Sequence, residues 1–135
     1  EKNISFTVSL PRTALPPCLS DGERLSQVIA ILLHNAISYT PSGGSISLAL
    51  SSNTAKKPEA LTLSIADNGI GIPDEEKDKI FQRFYRSDRS RSVKNHFGLG
   101  LPIASEIIRS LDGTIRVVDT PGGGSTFLVR LPFRS

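Results

Sequence analysis

A strand that ends in an aspartate and runs into two closely spaced glycines is the feature that most constrains how this chain can fold. Apolar residues at 61, 63 and 65 alternate with small or polar residues, which is typical of a strand with one buried face. Asp67 follows directly, and a buried carboxylate needs a partner because an unpaired buried charge is strongly penalised. Gly69 and Gly71 lack Cβ atoms and let a planar ligand approach the backbone. The run predicts a ligand loop in which Asp67 accepts a hydrogen bond from an amine such as that of adenine.

The same run has a simpler interpretation as a tight turn. Asn68-Gly69 is a favourable turn dipeptide, and a turn between two strands would need nothing more. On these residues alone both interpretations stay open, and the remaining segments of the chain decide between them.

Length, composition and charge limit the class of protein. The chain has 135 residues, of which 38% are hydrophobic, enough for one domain with its own core, and no apolar run approaches the ~18 residues of a membrane-spanning helix. The single cysteine, Cys18, excludes an internal disulfide and fits a reducing compartment. The net charge is +3, and cations crowd the segment 83–94, which also contains Phe84 and Tyr85. This segment is either a solvated loop or a site for a triphosphate or a protein partner, both of which we rank above nucleic acid because no nucleic-acid-binding motif surrounds it.

Hydrophobic periodicity predicts the layers of the fold. Ser20 and Glu23 have the spacing of a capping box and precede an amphipathic helix whose apolar residues run from 25 to 37. A short helix is predicted for 74–81, and a second long helix opens at the Gly98-Leu99-Gly100 turn. Strands with alternating apolar residues are predicted around 4–10, 46–50, 61–65, 115–117 and 127–131. Because every strand has one face to cover and the helices supply the cover, we expect a two-layer α/β sandwich with a mixed sheet.

Two further features favour a ligand site. Asn35 lies along one edge of the apolar stripe of the first helix, together with Ile31, Ser38 and Tyr39, where its carbonyl oxygen could ligate a cation. Mg²⁺ prefers oxygen ligands combined with phosphates, although an asparagine in this position could also be a plain border residue. The backbone amides and dipole at the start of the second helix attract phosphate, although that glycine turn could also serve only to start the helix.

In this order and spacing the motifs resemble the ATP-binding catalytic domain of sensor histidine kinases, within the GHKL superfamily. The resemblance covers nearly the whole chain and implies that 1–135 form one domain. The implied fold is the Bergerat ATP-binding fold, a two-layer arrangement of a mixed, mostly antiparallel sheet and about three helices. An aromatic F box separates histidine kinases from the gyrase-type and chaperone-type relatives. The motifs are an N box at 32–41, a first glycine box at 67–73, the F box at 80–86, a second glycine box at 98–101 and a closing segment at 124–127.

The resemblance implies a role for each matching position. Asn35 would hold Mg²⁺, Asp67 would bind the adenine amine, Tyr39 would lie against the ring and Thr126 would close the purine pocket. A flexible lid from 82 to 97 would cover the phosphates. The implied catalytic residues are Asn35, Arg86 and Lys94. The implied nucleotide-binding residues are Asn35, Tyr39, Asp67, Gly69, Gly71, Ile72, Phe84, Arg86, Lys94, Gly98, Leu99, Gly100, Leu101 and Thr126.

The activity implied is transfer of the γ-phosphoryl group of ATP, with Mg²⁺, to a histidine on a separate dimerisation domain that this chain lacks. The implied partners are that domain and, indirectly, a response regulator, with no nucleic acid. The chain would be the cytoplasmic part of a membrane-anchored homodimeric sensor. His34 falls on the side of the first helix opposite the apolar stripe, so we expect it to face solvent and not to accept phosphate.

Three positions depart from the family pattern and support an alternative. Ile31 stands where kinases usually carry Asn and the ATPases carry a water-activating Glu. Ser38 stands where a phosphate-binding Lys is common. His96 lies in the segment before the second glycine box, which usually consists of small residues and is often glycine-rich. The alternative is a degenerate, non-catalytic module that senses nucleotide or binds a partner. An autonomous ATPase would lack its general base. If Asp67 faces a ligand and not the core, we expect its replacement by alanine to weaken ATP binding and to leave folding intact.

Overall fold

The computed structural model describes residues 3–9, 22–52, 60–82 and 100–132. Two short 3₁₀ helices, Asp74–Glu76 and Lys79–Phe81, stand where one short helix is predicted. No helix in the described ranges is long and apolar enough to cross a membrane. The longer elements in chain order are β1 (Ser5–Ser9), α1 (Gly22–Tyr39), β2 (Ser45–Ser52), β3 (Ala60–Asp67), α2 (Gly100–Ser110), β4 (Thr114–Asp119) and β5 (Ser125–Pro132).

The five strands form one mixed sheet in the order β1-β2-β3-β5-β4. β1 and β2 are parallel, which requires a crossover connection, and α1 lies in that connection. The other three pairings are antiparallel. The predicted mixed, mostly antiparallel sheet is therefore confirmed.

Both helices bury one stripe against the inner face of the sheet. On α1 the buried residues Val28, Leu32 and Ala36 recur every four positions, as the predicted amphipathic pattern requires. On α2 the fully buried residues are Ala104 and Ile108. Their partners in the sheet are the alternating apolar residues of β2, β3, β4 and β5, which are Ile46, Leu61, Leu63, Ile65, Val117, Phe127, Val129 and Leu131. The two-layer α/β sandwich predicted from periodicity is confirmed.

Strand register brings three segments to one end of the sheet. Asp67 at the end of β3 pairs with Ile46 at the start of β2, and Asp119 at the end of β4 pairs with Ser125 at the start of β5. The C-terminus of α1 reaches the same end, since the backbone N–H of Ile70 donates to the carbonyl of Tyr39 across 3.4 Å. Asp67, the start of β5 and Tyr39 at the end of α1 are thereby gathered at this end.

Candidate functional site

Asp67 is a buried carboxylate held in a fixed orientation. Asp67 is only 4% exposed. Its Oδ1 accepts hydrogen bonds from the backbone N–H groups of Gly69 at 2.9 Å and Ser125 at 3.2 Å. Backbone donors stabilise the charged form of a carboxylate, so burial of this group does not require a cationic side chain. Both bonds go to Oδ1, so neither of them uses Oδ2.

The same hydrogen bonds give Asp67 a structural role that the sequence analysis did not foresee. Replacement by alanine would leave the N–H groups of Gly69 and Ser125 without their acceptor in a part-buried or buried position. Unsatisfied buried donors are costly, so the structure adds a predicted loss of stability to the loss of binding expected for Asp67→Ala. An asparagine at this position keeps one acceptor oxygen and removes the charge, which makes it the better probe of ligand binding.

Glycines allow three backbone segments to meet around Asp67. A Cβ atom on Gly69 would lie 2.2 Å from the carbonyl oxygen of Tyr39, and one on Gly124 would lie 2.0 Å from the carbonyl oxygen of Asp67. Gly71 has φ +76° and would place a Cβ atom 3.7 Å from the carbonyl oxygen of Gly124. The glycine loop, the end of α1 and the β4–β5 hairpin therefore touch through their backbones.

Asn35 and the start of α2 form the other end of the site. Asn35 was predicted at the border of the apolar stripe, and it is in fact buried, with 4% exposure. Its Nδ2 atom has no hydrogen-bond partner within the part of the chain that the structure describes. Gly100, the first residue of α2, lies against Ile31, which is one helical turn before Asn35 on α1. A Cβ atom added to Gly100 would be 3.3 Å from the Cγ2 of Ile31. The N-terminus of α2 therefore packs against α1 one helical turn before Asn35.

The residues present suit Mg²⁺ bound together with a nucleotide. The described ranges contain no cluster of three or more acidic, histidine or cysteine side chains that could hold a metal ion by itself. Mg²⁺ commonly takes only one or two protein ligands and completes its shell with phosphates and water. The amide oxygen of Asn35 can supply one such ligand, and its Nδ2 donor, which has no partner among the described residues, can bind a phosphate oxygen.

Ser125, which the sequence analysis did not select, lies on the buried face of β5, whereas the selected Thr126 lies on the opposite face. Ser125 is 2% exposed, lies beside Asp67, and has an Oγ atom without a hydrogen-bond partner among the described residues. Thr126 pairs with Ala66 and points to the opposite face, where its Oγ1 lies 2.9 Å from that of Thr120. The signal was available in the alternation, because Phe127 faces the core and a residue two positions earlier must face the same way.

The other selected residues fall into two groups. Tyr39, Ile72 and Leu101 are buried, with 4%, 5% and 7% exposure, and Ile72 and Leu101 belong to the core cluster. Phe81, at the start of the predicted lid, packs edge-on against Phe127 with ring centroids 6.2 Å apart. Five selected residues lie outside the described ranges, namely Phe84, Arg86, Lys94, Gly98 and Leu99.

His34 faces solvent, as predicted. The residue is exposed on α1, and its backbone carbonyl accepts a hydrogen bond of 2.9 Å from the Oγ of Ser38. Ser38 is therefore engaged with its own helix at the position where the family pattern commonly has a phosphate-binding lysine.

Lys77 connects the glycine loop to the hairpin and was also missed by the sequence analysis. Its Nζ atom donates to the carbonyl of Ile72 at 3.0 Å, and it forms ion pairs with Asp119 at 3.0 Å and with Asp74. The hydrogen bonds with Asp74 and Asp119 raise the pKa of Lys77, and the hydrogen bond with Lys77 lowers the pKa of Asp74. The spacing of Asp74 and Lys77 predicts a local pair, but nothing in the sequence relates Lys77 to Asp119.

Comparison with known proteins identifies the family. Residues 20–135 match the family model described as histidine kinase-, DNA gyrase B- and HSP90-like ATPase. The chain belongs to this family. The adaptive-response sensory kinase SasA of Microcystis aeruginosa is 40% identical over 132 residues, which cover 98% of this chain and 33% of SasA. The chain thus spans about a third of the length of the sensory kinases that it matches.

Solved structures in the same family share the fold. The catalytic domain of histidine kinase ThkA in a nucleotide-free form aligns with a TM-score of 0.80 at 28% identity, covering 97% of this chain and 81% of that chain. Full-length ShkA in complex with AMPPNP aligns with a TM-score of 0.77 at 30% identity, covering 98% of this chain and 26% of that chain. The resemblance inferred from the ordered motifs is confirmed, and so is the fold class.

Proposed function

We propose that this chain is the ATP-binding catalytic domain of a two-component sensor histidine kinase. It transfers the γ-phosphoryl group of ATP to a histidine on a dimerisation domain outside these 135 residues, in a membrane-anchored homodimer whose catalytic part is cytoplasmic. The observation that carries the proposal is the buried carboxylate of Asp67, whose Oδ1 is held by two backbone donors. The similarity to named sensory kinases over nearly all of the chain supports it.

The adenine end of the site selects its base by hydrogen-bond polarity. The Oδ2 of Asp67 accepts from the exocyclic amine of adenine, whereas guanine would present a carbonyl oxygen to the same carboxylate. Tyr39 and Ile72 supply apolar surface, and the buried Oγ of Ser125 supplies a second polar contact close to Asp67. The glycines at 69 and 71 keep this wall free of side chains.

The phosphate end uses Asn35 and the start of α2. The amide oxygen of Asn35 would hold Mg²⁺, which, when bound, neutralises charge on the triphosphate. The backbone amides near Gly100 bind phosphate oxygens, and Arg86 and Lys94 add positive charge from the predicted lid. This work is positioning and charge stabilisation, because the acceptor histidine is itself the nucleophile: its imidazole nitrogen bonds to the γ-phosphorus as the bond to the β-phosphate oxygen breaks.

The alternative of a degenerate, non-catalytic module rests on Ile31, Ser38 and His96. Ile31 is half-buried against the start of α2, so a packing role accounts for it. The similarity to sensory kinases favours the catalytic domain over this alternative. An autonomous ATPase is disfavoured because position 31 carries no carboxylate that could activate water.

The test combines calorimetry with phosphotransfer. ATP with Mg²⁺ is titrated into the wild-type chain and into Asp67→Asn, and we expect binding to the former and a loss of at least about tenfold in the latter. A separately supplied dimerisation domain should then acquire acid-labile phosphohistidine. Binding without transfer to any supplied domain would favour the non-catalytic module. Absence of ATP binding would overturn the catalytic proposal and the nucleotide-sensing form of the alternative, and would leave only a partner-binding module.

A further inference from the structure

Lys77, Asp119, Ser125 and Asp67 close a ring of contacts around the glycine loop. Lys77 Nζ binds the carbonyl of Ile72 and the carboxylate of Asp119, each at 3.0 Å. Asp119 is the strand partner of Ser125, and the N–H of Ser125 donates to the Oδ1 of Asp67 at 3.2 Å. The backbone from Asp67 to Ile72 completes the ring. Asp67, the proposed purine acceptor, and Ile72, in the apolar wall of the pocket, are therefore connected in two ways. One connection runs along the backbone, and the other runs through Ser125, Asp119 and Lys77.

Direct packing within the ring makes the position of the hairpin important for Asp67. Gly124 lies so close to the carbonyl of Asp67 that a Cβ atom would be 2.0 Å from it. The turn itself is braced, because Thr120 N donates to the carbonyl of Gly124 at 3.1 Å and Gly123 N to the carbonyl of Thr120 at 2.9 Å. A displacement of the hairpin would therefore move Ser125 as part of a braced unit and change the orientation of the Asp67 carboxylate.

We propose that Lys77 is a positioning residue for the purine pocket, which sets nucleotide affinity by fixing the β4–β5 hairpin against the glycine loop. The inference rests on the proposed function and adds to it a residue that does not touch the nucleotide. The three partners of the ammonium group in the described structure are protein oxygens, two of them close together in the chain at Ile72 and Asp74 and the third in the hairpin at Asp119. The Lys77 side chain is only 17% exposed, whereas those of Asp74 and Asp119 are 89% and 68% exposed, so Lys77 is the enclosed member of the group.

Asp74 provides a matched control within the same cluster. It bonds to the same ammonium group, but it lies three residues from Lys77 in the adjoining 3₁₀ helix and, within the described ranges, has no hydrogen bond or ion pair to the hairpin. Asp74→Asn therefore weakens the local pair and keeps the connection to Asp119. Asp119→Asn does the opposite, at a carboxylate that is mostly exposed and whose loss should not prevent folding.

The experiment measures dissociation constants for ATP and ADP by calorimetry in the wild type, Lys77→Met, Lys77→Arg, Asp119→Asn, Asp74→Asn and the Lys77→Met/Asp119→Asn double variant. We expect Lys77→Met and Asp119→Asn each to weaken both nucleotides by the same factor, roughly threefold to tenfold, as the loss of one charge-assisted hydrogen bond does. The double variant should be no weaker than Lys77→Met, because the two residues act through one contact. Lys77→Arg should restore most of the affinity, and Asp74→Asn should stay within about twofold of wild type.

Three outcomes would overturn the proposal. Wild-type affinity in both Lys77→Met and Asp119→Asn would mean that the link does not set the pocket. A loss in Asp74→Asn equal to that in Lys77→Met would assign the effect to the local 3₁₀ helix. A loss for ATP without a loss for ADP would mean that Lys77 acts on the γ-phosphate. Failure of the wild type to bind either nucleotide would instead refute the proposed function.

Discussion

The two ends of the proposed nucleotide site differ in whether the fold itself provides hydrogen-bond partners for a buried polar side chain. Asp67 and Asn35 are equally buried, at 4% exposure each. The carboxylate of Asp67 is held by two backbone donors, whereas the Nδ2 of Asn35 has no partner in the described part of the chain. The fold preorganises the proposed adenine end, whereas the proposed phosphate end keeps a hydrogen-bond donor for a ligand to satisfy. We therefore predict that truncation of Asp67 lowers both stability and nucleotide affinity, whereas truncation of Asn35 lowers affinity with little effect on stability.

The largest effect should come from a methyl group at Gly124. Gly124→Ala places a Cβ atom 2.0 Å from the carbonyl oxygen of Asp67, on a residue with φ +106°. Collision and strain together should lower the free energy of unfolding by about 3 kcal/mol or more and abolish ATP binding. Denaturant unfolding and calorimetry measure both quantities.

Gly71→Ala is the matched control for this prediction. Gly71 also has positive φ, but its added Cβ atom would lie at an ordinary contact distance of 3.7 Å from its nearest neighbour, the carbonyl oxygen of Gly124. It should therefore cost only the ~1–2 kcal/mol of left-handed backbone strain. Equal destabilisation by the two variants would show that the hairpin is not pressed against Asp67.

Asp67 should lose both stability and affinity when it is truncated. Asp67→Ala leaves two backbone donors without an acceptor, which should lower the free energy of unfolding by ~1–3 kcal/mol, and it removes the adenine contact, worth roughly 10–150-fold in affinity. Asp67→Asn should keep most of the stability and lose most of the affinity. Thermal unfolding and ATP titration of the two variants separate these roles, and an alanine variant as stable as wild type would mean that the two hydrogen bonds contribute little.

Asn35 should behave in the opposite way. Asn35→Ala removes an amide whose Nδ2 is unsatisfied in the described structure and raises helix propensity, so the free energy of unfolding should change by less than about 1 kcal/mol. ATP affinity measured with Mg²⁺ should fall toward the value measured with the chelator EDTA, because the variant lacks the proposed metal ligand. Loss of stability comparable with that of Asp67→Ala would remove the contrast between the two ends.

The same contrast explains what the sequence could and could not predict. Alternation predicted the inner face of β3 up to Asp67, and helical periodicity predicted the buried stripe of α1, because both depend only on near neighbours in the chain. Alternation from Phe127 indicates that Ser125 faces inward, but its place beside Asp67 depends on the register between β3 and β5, which the sequence does not specify. The pair of Lys77 and Asp119 was missed because it joins side chains that only the folded hairpin brings together.

Alternation also predicts which face a side chain takes without saying whether that face is covered. Phe6 and Val8 pair with Ile46 and Leu48 in parallel register. They are 54% and 62% exposed, whereas Ile46 is 1% exposed. One sequence pattern thus gives a buried strand in the middle of the sheet and an exposed one at its edge.

The smallest expected effect is that of pH, which tests the link that Lys77 forms between the glycine loop and the β4–β5 hairpin. Lys77 has a raised pKa, so its contribution is complete below its ordinary value of 10.5 and is lost only as pH rises through the raised value. Asp74 has a lowered pKa, so its contribution is complete above its ordinary value of 3.8 and is lost only as pH falls through the lowered value. Both groups stay charged between about pH 5 and pH 9, and the ratio of ATP dissociation constants for Lys77→Met and wild type should be constant across that range. Calorimetry at three pH values within it measures the ratio, and a change near neutral pH would mean that some other group, titrating in that range, controls the position of the hairpin.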